Sequence, residues 1–253
     1  MTERANTADS AGQPWAGRHF EPNSSADDDG SAPPLLLEAI RKFRGGEGGE
    51  TDVVDAFCAS RLLIPLVTAL GEAGLDDRGR TIDKSQELSI VTVEGPDGRR
   101  VLPVFSSVAA MTAWNPNARP VPVSGPRVAA AAASEGTDLV VLDPTSETEF
   151  VLRRPALWSI VRDEDWVPSY RSEAVAREFA ASVVEESVVL GVALTSGDPK
   201  ARLRGPELIV SLTLVAGLDG DELSALIERL SSRWSTSEII AQHVDSLEIA
   251  LTS

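Results

Sequence analysis

The chain has 253 residues, 42% of them hydrophobic and 25% charged, which is enough for a sizeable core and for two small domains. A formal net charge of −16 argues against a nonspecific nucleic-acid or anionic-membrane surface, because phosphate binding needs clustered Lys and Arg. The single cysteine, Cys58, excludes an internal disulfide and a cysteine-ligated metal site, and no apolar run approaches the ~20 residues of a membrane span.

Residues 1–32 are small, polar and increasingly acidic and read as a flexible tail, interrupted by Trp15, His19 and Phe20, which can dock on the body or on a partner. Without a basic-then-apolar leader, the cytoplasm is the expected compartment. Pro33-Pro34 opens a helix on which Leu36, Ile40 and Phe43 recur at helical spacing, and Gly45-Gly46 ends it. A second helix is predicted from Thr51 or Asp52 to about Ser60. Leu62 to Thr68 reads as a strand, with Pro65 placing it at an edge or a strand end.

Leu88 to Val93 reads as one strand and Val101 to Phe105 as its antiparallel return. Between them Gly95-Pro96-Asp97-Gly98 is a turn in which Pro fixes φ and Gly supplies a positive one. Ser107 caps a short helix expected to bury Val108, Met111 and Trp114. Arg119 to Val123 is extended, and an Ala-rich helix runs from Pro126 to near Gly136. Leu139 to Leu142 and Phe150 to Arg153 flank a hairpin turn at Asp143-Pro144-Thr145-Ser146.

Residues 155–171 read as connecting sequence, with the connector proper at 161–171 between domains over 33–160 and 172–253; Trp158 and Trp166 are its candidate wedges. Beyond it Ser172 caps a helix to about Val183, and Ser187 to Thr195 and Glu207 to Val215 read as strands around a turn-rich basic segment, SGDPKARLRGP. Asp219 and Glu222 form a capping box for the clearest helix of the chain, with Leu223, Leu226, Ile227, Leu230 and Trp234 on one face. Ser246 to Leu251 is a last strand. The fold class is α+β: two small α/β domains with mainly antiparallel or mixed sheets behind a flexible N-terminal tail.

The chemistry-bearing motifs are missing. Gly45-Gly46-Glu47-Gly48-Gly49 has no following Lys, which a phosphate loop needs, and carries Glu47 with Glu50 next to it, which would repel phosphate. No Gly-x-Ser-x-Gly elbow exists, and only His19 and His243 are available as bases, the latter with Asp245 two residues on. Cys58 reads as a buried small hydrophobe, and Asp27-Asp28-Asp29 lacks the alternating spacing of a calcium loop. No catalytic, cofactor-binding or metal-binding residues are assigned. Two polar groups read either as solvated loops or as a recognition rim: Lys84, Gln86 and Glu87 entering the first hairpin, with Trp114 behind it, and the local basic patch of Arg202 and Arg204. The 20 arginines against three lysines read as a compositional bias from which no structural conclusion follows.

The stretches Lys84-Ser-Gln-Glu-Leu-Ser-Ile-Val-Thr-Val93, Gly95-Pro-Asp-Gly-Arg99, Leu102-Pro-Val-Phe105, Ala118-Arg-Pro-Val-Pro-Val123, Leu142-Asp-Pro144 and Phe150-Val-Leu-Arg-Arg-Pro155 resemble the N-terminal domain of the SseB family, the enhanced serine sensitivity proteins. Arg204-Gly-Pro-Glu-Leu208 and Val244-Asp-Ser-Leu247 resemble its C-terminal half, so the resemblance spans about residues 18–253. It implies a two-domain α/β protein of undefined biochemistry and supplies no catalytic residues. The expectation is therefore a non-enzymatic cytoplasmic binding or regulatory protein. It would use no cofactor and act on a protein partner or a second copy of itself, without direct nucleic-acid or membrane contact. The alternative is an enzyme or sensor of serine or amino-acid metabolism, for which His243, Asp245 or Cys58 would have to share a pocket.

Overall fold

Pro34 opens the first helix, α1 (Pro34–Gly45), which buries Leu36 and Ile40 and ends where Gly46 turns left-handed at φ 74°. The computed structural model describes residues 28–68 and 88–252. The readings made for the tail up to residue 27 and for Lys84, Gln86 and Glu87 lie outside the described residues. The second helix, α2 (Glu50–Cys58), begins slightly earlier than predicted, because the Asp52 carboxylate accepts the Gly49 N–H at 2.7 Å and so satisfies a donor at the helix start.

The described residues contain eight helices and three small sheets, an α+β architecture. The first sheet places β1 (Arg61–Thr68) between β2 (Leu88–Ile90) and β5 (Arg119–Ser124), all antiparallel. Pro65 thus lies in a central strand rather than at an edge. It is tolerated because it faces Pro120 on one side. On the other side it falls between the Leu63–Phe105 bridge and the β2 pairing that starts at Leu66.

The second sheet has the order β3 (Val93–Glu94), β4 (Arg100–Val104), β6 (Leu139–Leu142), β7 (Phe150–Arg153). The single strand predicted over Leu88 to Val93 is divided, its first part pairing with β1 and its last with β4. The turn between β3 and β4 closes with Gly98 N–H donating to the Gly95 carbonyl at 3.0 Å, Gly98 being at φ 80°. Strands β4 and β6 are parallel, which needs a crossover. α3 (Val108–Trp114), β5 and α4 (Gly125–Ser134) provide it. Ser107 caps α3 as predicted, by accepting the Ala110 N–H, and Met111 is buried, but Val108 is 39% exposed.

Residues read as a connector form α5 (Arg154–Arg162), which buries Ala156, Leu157 and Ile160 and ends on a left-handed Asp163. Pro155 concealed this helix, since Pro in a first turn starts a helix as readily as it interrupts other structure. Trp158 is 40% exposed between the Arg154 and Arg162 guanidinium groups, whereas Trp166 packs against the core and its carbonyl accepts from Thr51 Oγ1.

In the second half, α6 (Glu173–Ser182), β8 (Val189–Ser196), β9 (Leu208–Leu214), α7 (Gly220–Thr236), a short α8 (Glu238–His243) and β10 (Leu247–Thr252) form the third sheet, order β10-β9-β8, with helices packed on it. Leu208, Val210, Leu212 and Leu214 are buried and alternate with half-buried or exposed Ile209, Ser211 and Thr213, the pattern of a sheet covered on one face. The Asp219–Glu222 capping box is formed as predicted, and α8, with Ser237 as its cap, is, like α5, a helix that the sequence reading omitted.

From Ser31 onward the described residues belong to one contact unit, yet they hold two large apolar clusters. One gathers Leu36, Phe57, Leu102, Leu142 and Phe150; the other gathers Val175, Phe179, Leu212, Leu230 and Trp234. Arginines tie the two halves. Arg154 donates to the carbonyls of Ala241 and Val244, Arg202 to those of Ser146 and Glu147, Arg44 to that of Lys200, and Arg99 and Arg153 to the Asp245 carboxylate.

Candidate functional site

Two loops meet above the outer face of the β3-β4-β6-β7 sheet. The first joins β6 to β7. The buried Asp143 carboxylate accepts the Ser106 N–H at 2.8 Å, the Ser106 hydroxyl at 2.6 Å and the Thr148 hydroxyl at 2.8 Å. These bonds hold Asp143 at φ 46° and Thr145 at φ 68°, a conformation uncommon for any non-glycine and an outlier for a β-branched residue. The Thr145 N–H donates to the Glu149 carboxylate at 2.6 Å.

The second loop, residues 197–206, joins β8 to β9 and is the segment read as turn-rich and basic. It is not a solvated turn. Asp198 receives the N–H groups of Arg202 and Leu203, and the Val151 N–H donates to the Ala201 carbonyl at 2.8 Å. Ala201 and Leu203 are buried, at φ 44° and 55°. Leu203 packs with Val101, Leu139, Val141 and Val151 on the sheet. The neck of the loop needs glycine: a Cβ on Gly197 would overlap the Pro206 carbonyl, and one on Gly205 would overlap the Gly197 carbonyl. Gly197→Ala is accordingly expected to cost about 2 kcal/mol, as overpacking does, read by urea denaturation.

Between the loops lies a groove of about 470 Å³. Its apolar wall includes Trp114, Pro103 and Leu203, and its polar lining includes Thr145, Arg202 and Arg204 together with the acids Glu94 and Glu149. Of the residues singled out in the sequence, Trp114, Arg202 and Arg204 are therefore brought together, although 88 positions separate the first two. Trp114 is half-buried and leans on Phe105, ring centroids 5.2 Å apart. Arg204 is exposed. Arg202 donates through Nη2 to the carbonyls of Ser146 at 3.2 Å and Glu147 at 3.1 Å, while its Nε is buried without a hydrogen-bond partner. Behind it Arg44 also has a buried, unpartnered Nε, and burial together with the neighbouring Arg202 charge pushes its pKa down.

A second polar centre lies on the other side of the 197–206 loop. Arg153 donates to Asp198 at 2.8 Å, to Asp245 at 3.1 Å and to the Gly205 carbonyl at 2.9 Å. Arg99 grips Asp245 with two bonds of 3.0 Å. The Asp245 N–H donates to Glu207 at 2.5 Å, and the Tyr170 hydroxyl donates to Glu50 at 3.2 Å. Glu50, Arg153, Tyr170, Asp198 and Glu207 line a cavity of about 20 Å³, room for one water and too small for an amino acid. Burial pushes the Glu50 carboxyl up to about 7 and Glu207 in the same direction, while the Tyr170 hydroxyl is pushed up to about 12 by burial and by the facing Glu50.

The three groups an enzyme would need occupy different environments. The Asp245 carboxylate is bound by Arg99 and Arg153. His243 is exposed at the end of α8. Cys58 ends α2, half-buried, with burial raising its thiol pKa. Among the described residues no group of three His, Cys, Asp or Glu side chains is placed to hold a metal ion, and no helix is long and apolar enough to cross a membrane.

Sequence reading did not find Leu203, Thr145, Arg44 or Arg153. A left-handed leucine or threonine leaves no local mark, and the arginines act across long sequence separations. The charge of Asp198 between Gly197 and Pro199 was the one available sign of an ordered loop.

Residues 36–159 match the family model of the SseB protein N-terminal domain. The match takes in Trp114 and the sheet face of the groove and ends within α5, before the Arg202–Arg204 loop and before the segments on which the resemblance of the second half rests. No curated protein and no solved structure matches the chain.

Proposed function

The chain belongs to the SseB family, and from that premise we propose that it is a non-enzymatic cytoplasmic binding protein that receives a segment of another protein in the groove between Trp114 and the 197–206 loop. The observation that carries this reading is the meeting of a half-buried Trp and two Arg on an apolar sheet face, framed by the left-handed residues Thr145 and Leu203. Trp and Arg are the side chains that most often anchor an interface. Non-glycine residues held left-handed cost stability on the order of 1 kcal/mol each and gather where geometry serves a site. The edge strand β8, with Leu190 67% exposed, is the surface on which a second copy or another chain would add.

Crosslinking in cells followed by mass spectrometry, with wild type beside Arg204→Glu and Trp114→Ala, tests the reading. The expected result is a partner captured by the wild type and reduced about tenfold or more by either variant, with circular dichroism unchanged. Equal capture by all three sinks it.

A second reading, a sensor or enzyme of amino-acid metabolism, is favoured by the groove volume, which is of small-molecule size. A thermal-shift screen against serine and related metabolites separates the two, because a ligand of the native state raises the midpoint.

A further inference from the structure

Resting on the reading of the β8 edge as a docking surface, we propose that its occupant is a second copy of this chain, the two β8 strands pairing antiparallel about a twofold axis at Ala193 and joining two three-stranded sheets into one continuous sheet.

Edge strands expose unpaired N–H and C=O groups, and proteins blunt them with shortness, charge or proline. Each of the three sheets has two edges among the described residues. β2 has three residues, and β3 has two, one of them Glu94. β5 carries Arg119, Pro120 and Pro122, β7 carries Arg153, and β10 carries Glu248. β8 is the exception: its eight residues, VLGVALTS, include no charge and no proline. A bulge between Val189 and Gly191 protects one end, but from Gly191 to Ser196 the strand runs in regular register with β9. Two copies of a chain that carries −16 can meet closely only where acids are absent, and this edge has none.

Charge at the strand ends favours a self-pair and sets its direction. Glu185 lies four residues before β8, is 87% exposed and meets Arg233 only at 3.8 Å. Lys200 lies four residues after β8 and is exposed. The other nearby acids are neutralised, Glu186 by Arg229 and Arg233 and Asp198 by Arg153. Antiparallel pairing turns the Glu185 end of each copy toward the Lys200 end of the other, whereas parallel pairing would set like against like. Side-chain alternation sets the register. Val192 and Leu194 pack into the helix-covered cluster, whereas Ala193 and Thr195 are exposed. A slip of one residue would carry apolar side chains to the open face. Centring on Ala193 keeps the faces and matches Val192 with Leu194 rather than with Ser196, so the apolar layer continues across the axis. Leu190, 67% exposed, and Val184, 79% exposed, add apolar area for the contact to cover.

Sedimentation velocity on the full chain from about 1 to about 100 µM tests this, the window in which an interface at the small end of the size range dissociates. The wild type is expected to pass from 26.8 kDa to twice that mass as concentration rises. Ala193 is exposed, so Ala193→Lys and Ala193→Glu keep the fold, as circular dichroism checks. Each sets like charges together on the axis and should weaken the dimer about tenfold or more. An equimolar mixture of the two variants should dimerise again, because opposite charges then meet, a recovery that misfolded variants cannot show. A wild type that stays at 26.8 kDa throughout, variants that dimerise as well as the wild type, or a mixture that stays monomeric overturns the proposal. A purified chain that stays monomeric while cells yield a foreign protein released by Ala193→Lys would assign the edge to another chain. Trp114→Ala and Arg204→Glu should dimerise as the wild type does, and loss of the dimer in either would place the contact elsewhere. Failure at β8 leaves the groove reading to its own crosslinking test.

Discussion

Arg153→Ala is expected to destabilise the protein by about 3–5 kcal/mol, lowering the thermal midpoint by on the order of 10 °C. Arg153 is 8% exposed and its guanidinium serves Asp198, itself 5% exposed, and Asp245, whose side chain is 1% exposed. Removing the cation leaves two carboxylates in a region from which water is nearly excluded, and the uncompensated charge costs more than the pair contributes when intact. Arg99 still holds Asp245, so Asp198 bears the larger share. Adding Asp198→Asn to Arg153→Ala should therefore recover part of the loss, and a double-mutant cycle measures the coupling. A loss below about 1 kcal/mol would mean that solvent reaches the pair and that it behaves as a surface salt bridge. The same variant tests the proposed division into domains over 33–160 and 172–253. Arg153 stitches the halves, so its loss should split a single calorimetric transition into two if each apolar cluster melts on its own.

What was legible in the sequence was whatever is encoded locally. The Asp219–Glu222 capping box, the Ser107 and Ser172 caps and the Gly95–Gly98 turn sit where the side chains placed them, because each is a bond between residues a few positions apart. Pairing partners were not legible. The division of Leu88 to Val93 between two sheets, the parallel β4–β6 pair and the central place of Pro65 depend on segments far apart in the chain. The candidate groove was half legible. Trp114, Arg202 and Arg204 stood out by residue type, but nothing in SGDPKARLRGP announced that Leu203 would be buried against Val101, Leu139, Val141 and Val151 of a sheet far upstream. The arginine bias is the clearest case: Arg44, Arg99, Arg153, Arg154 and Arg202 each reach across the seam between the halves, a use that composition cannot reveal. Guanidinium suits that place because one side chain can satisfy several carbonyls and carboxylates at once.

Glu50→Gln is expected to stabilise the protein above neutral pH and to change little at pH 5. Glu50 starts α2 and faces the cavity shared with Arg153, Tyr170, Asp198 and Glu207. Burial raises its carboxyl from the ordinary 4.5 to about 7, with the Tyr170 hydroxyl as its hydrogen-bond donor and Glu207 opposing its ionisation. A raised carboxyl means that between those two values the folded state holds a proton that the unfolded state has released. Stability therefore falls as pH rises through that window, and the full cost, about 3 kcal/mol, is present only above pH 7. Glu207, raised for the same reason, adds to the slope. The carboxylates of Asp97 and Glu186, held low beside Arg99 and Arg229, act in the opposite sense, but only at more acidic pH, near and below their ordinary values. The wild type should accordingly be most stable near pH 5–6. Gln keeps an oxygen for the Tyr170 hydroxyl and carries no charge, so the variant should lose most of the slope between pH 5.5 and pH 8 in urea denaturation. A wild type that gains stability from pH 5.5 to 8, or a variant weakened equally at both, would show that Glu50 is ionised and well solvated in the folded protein.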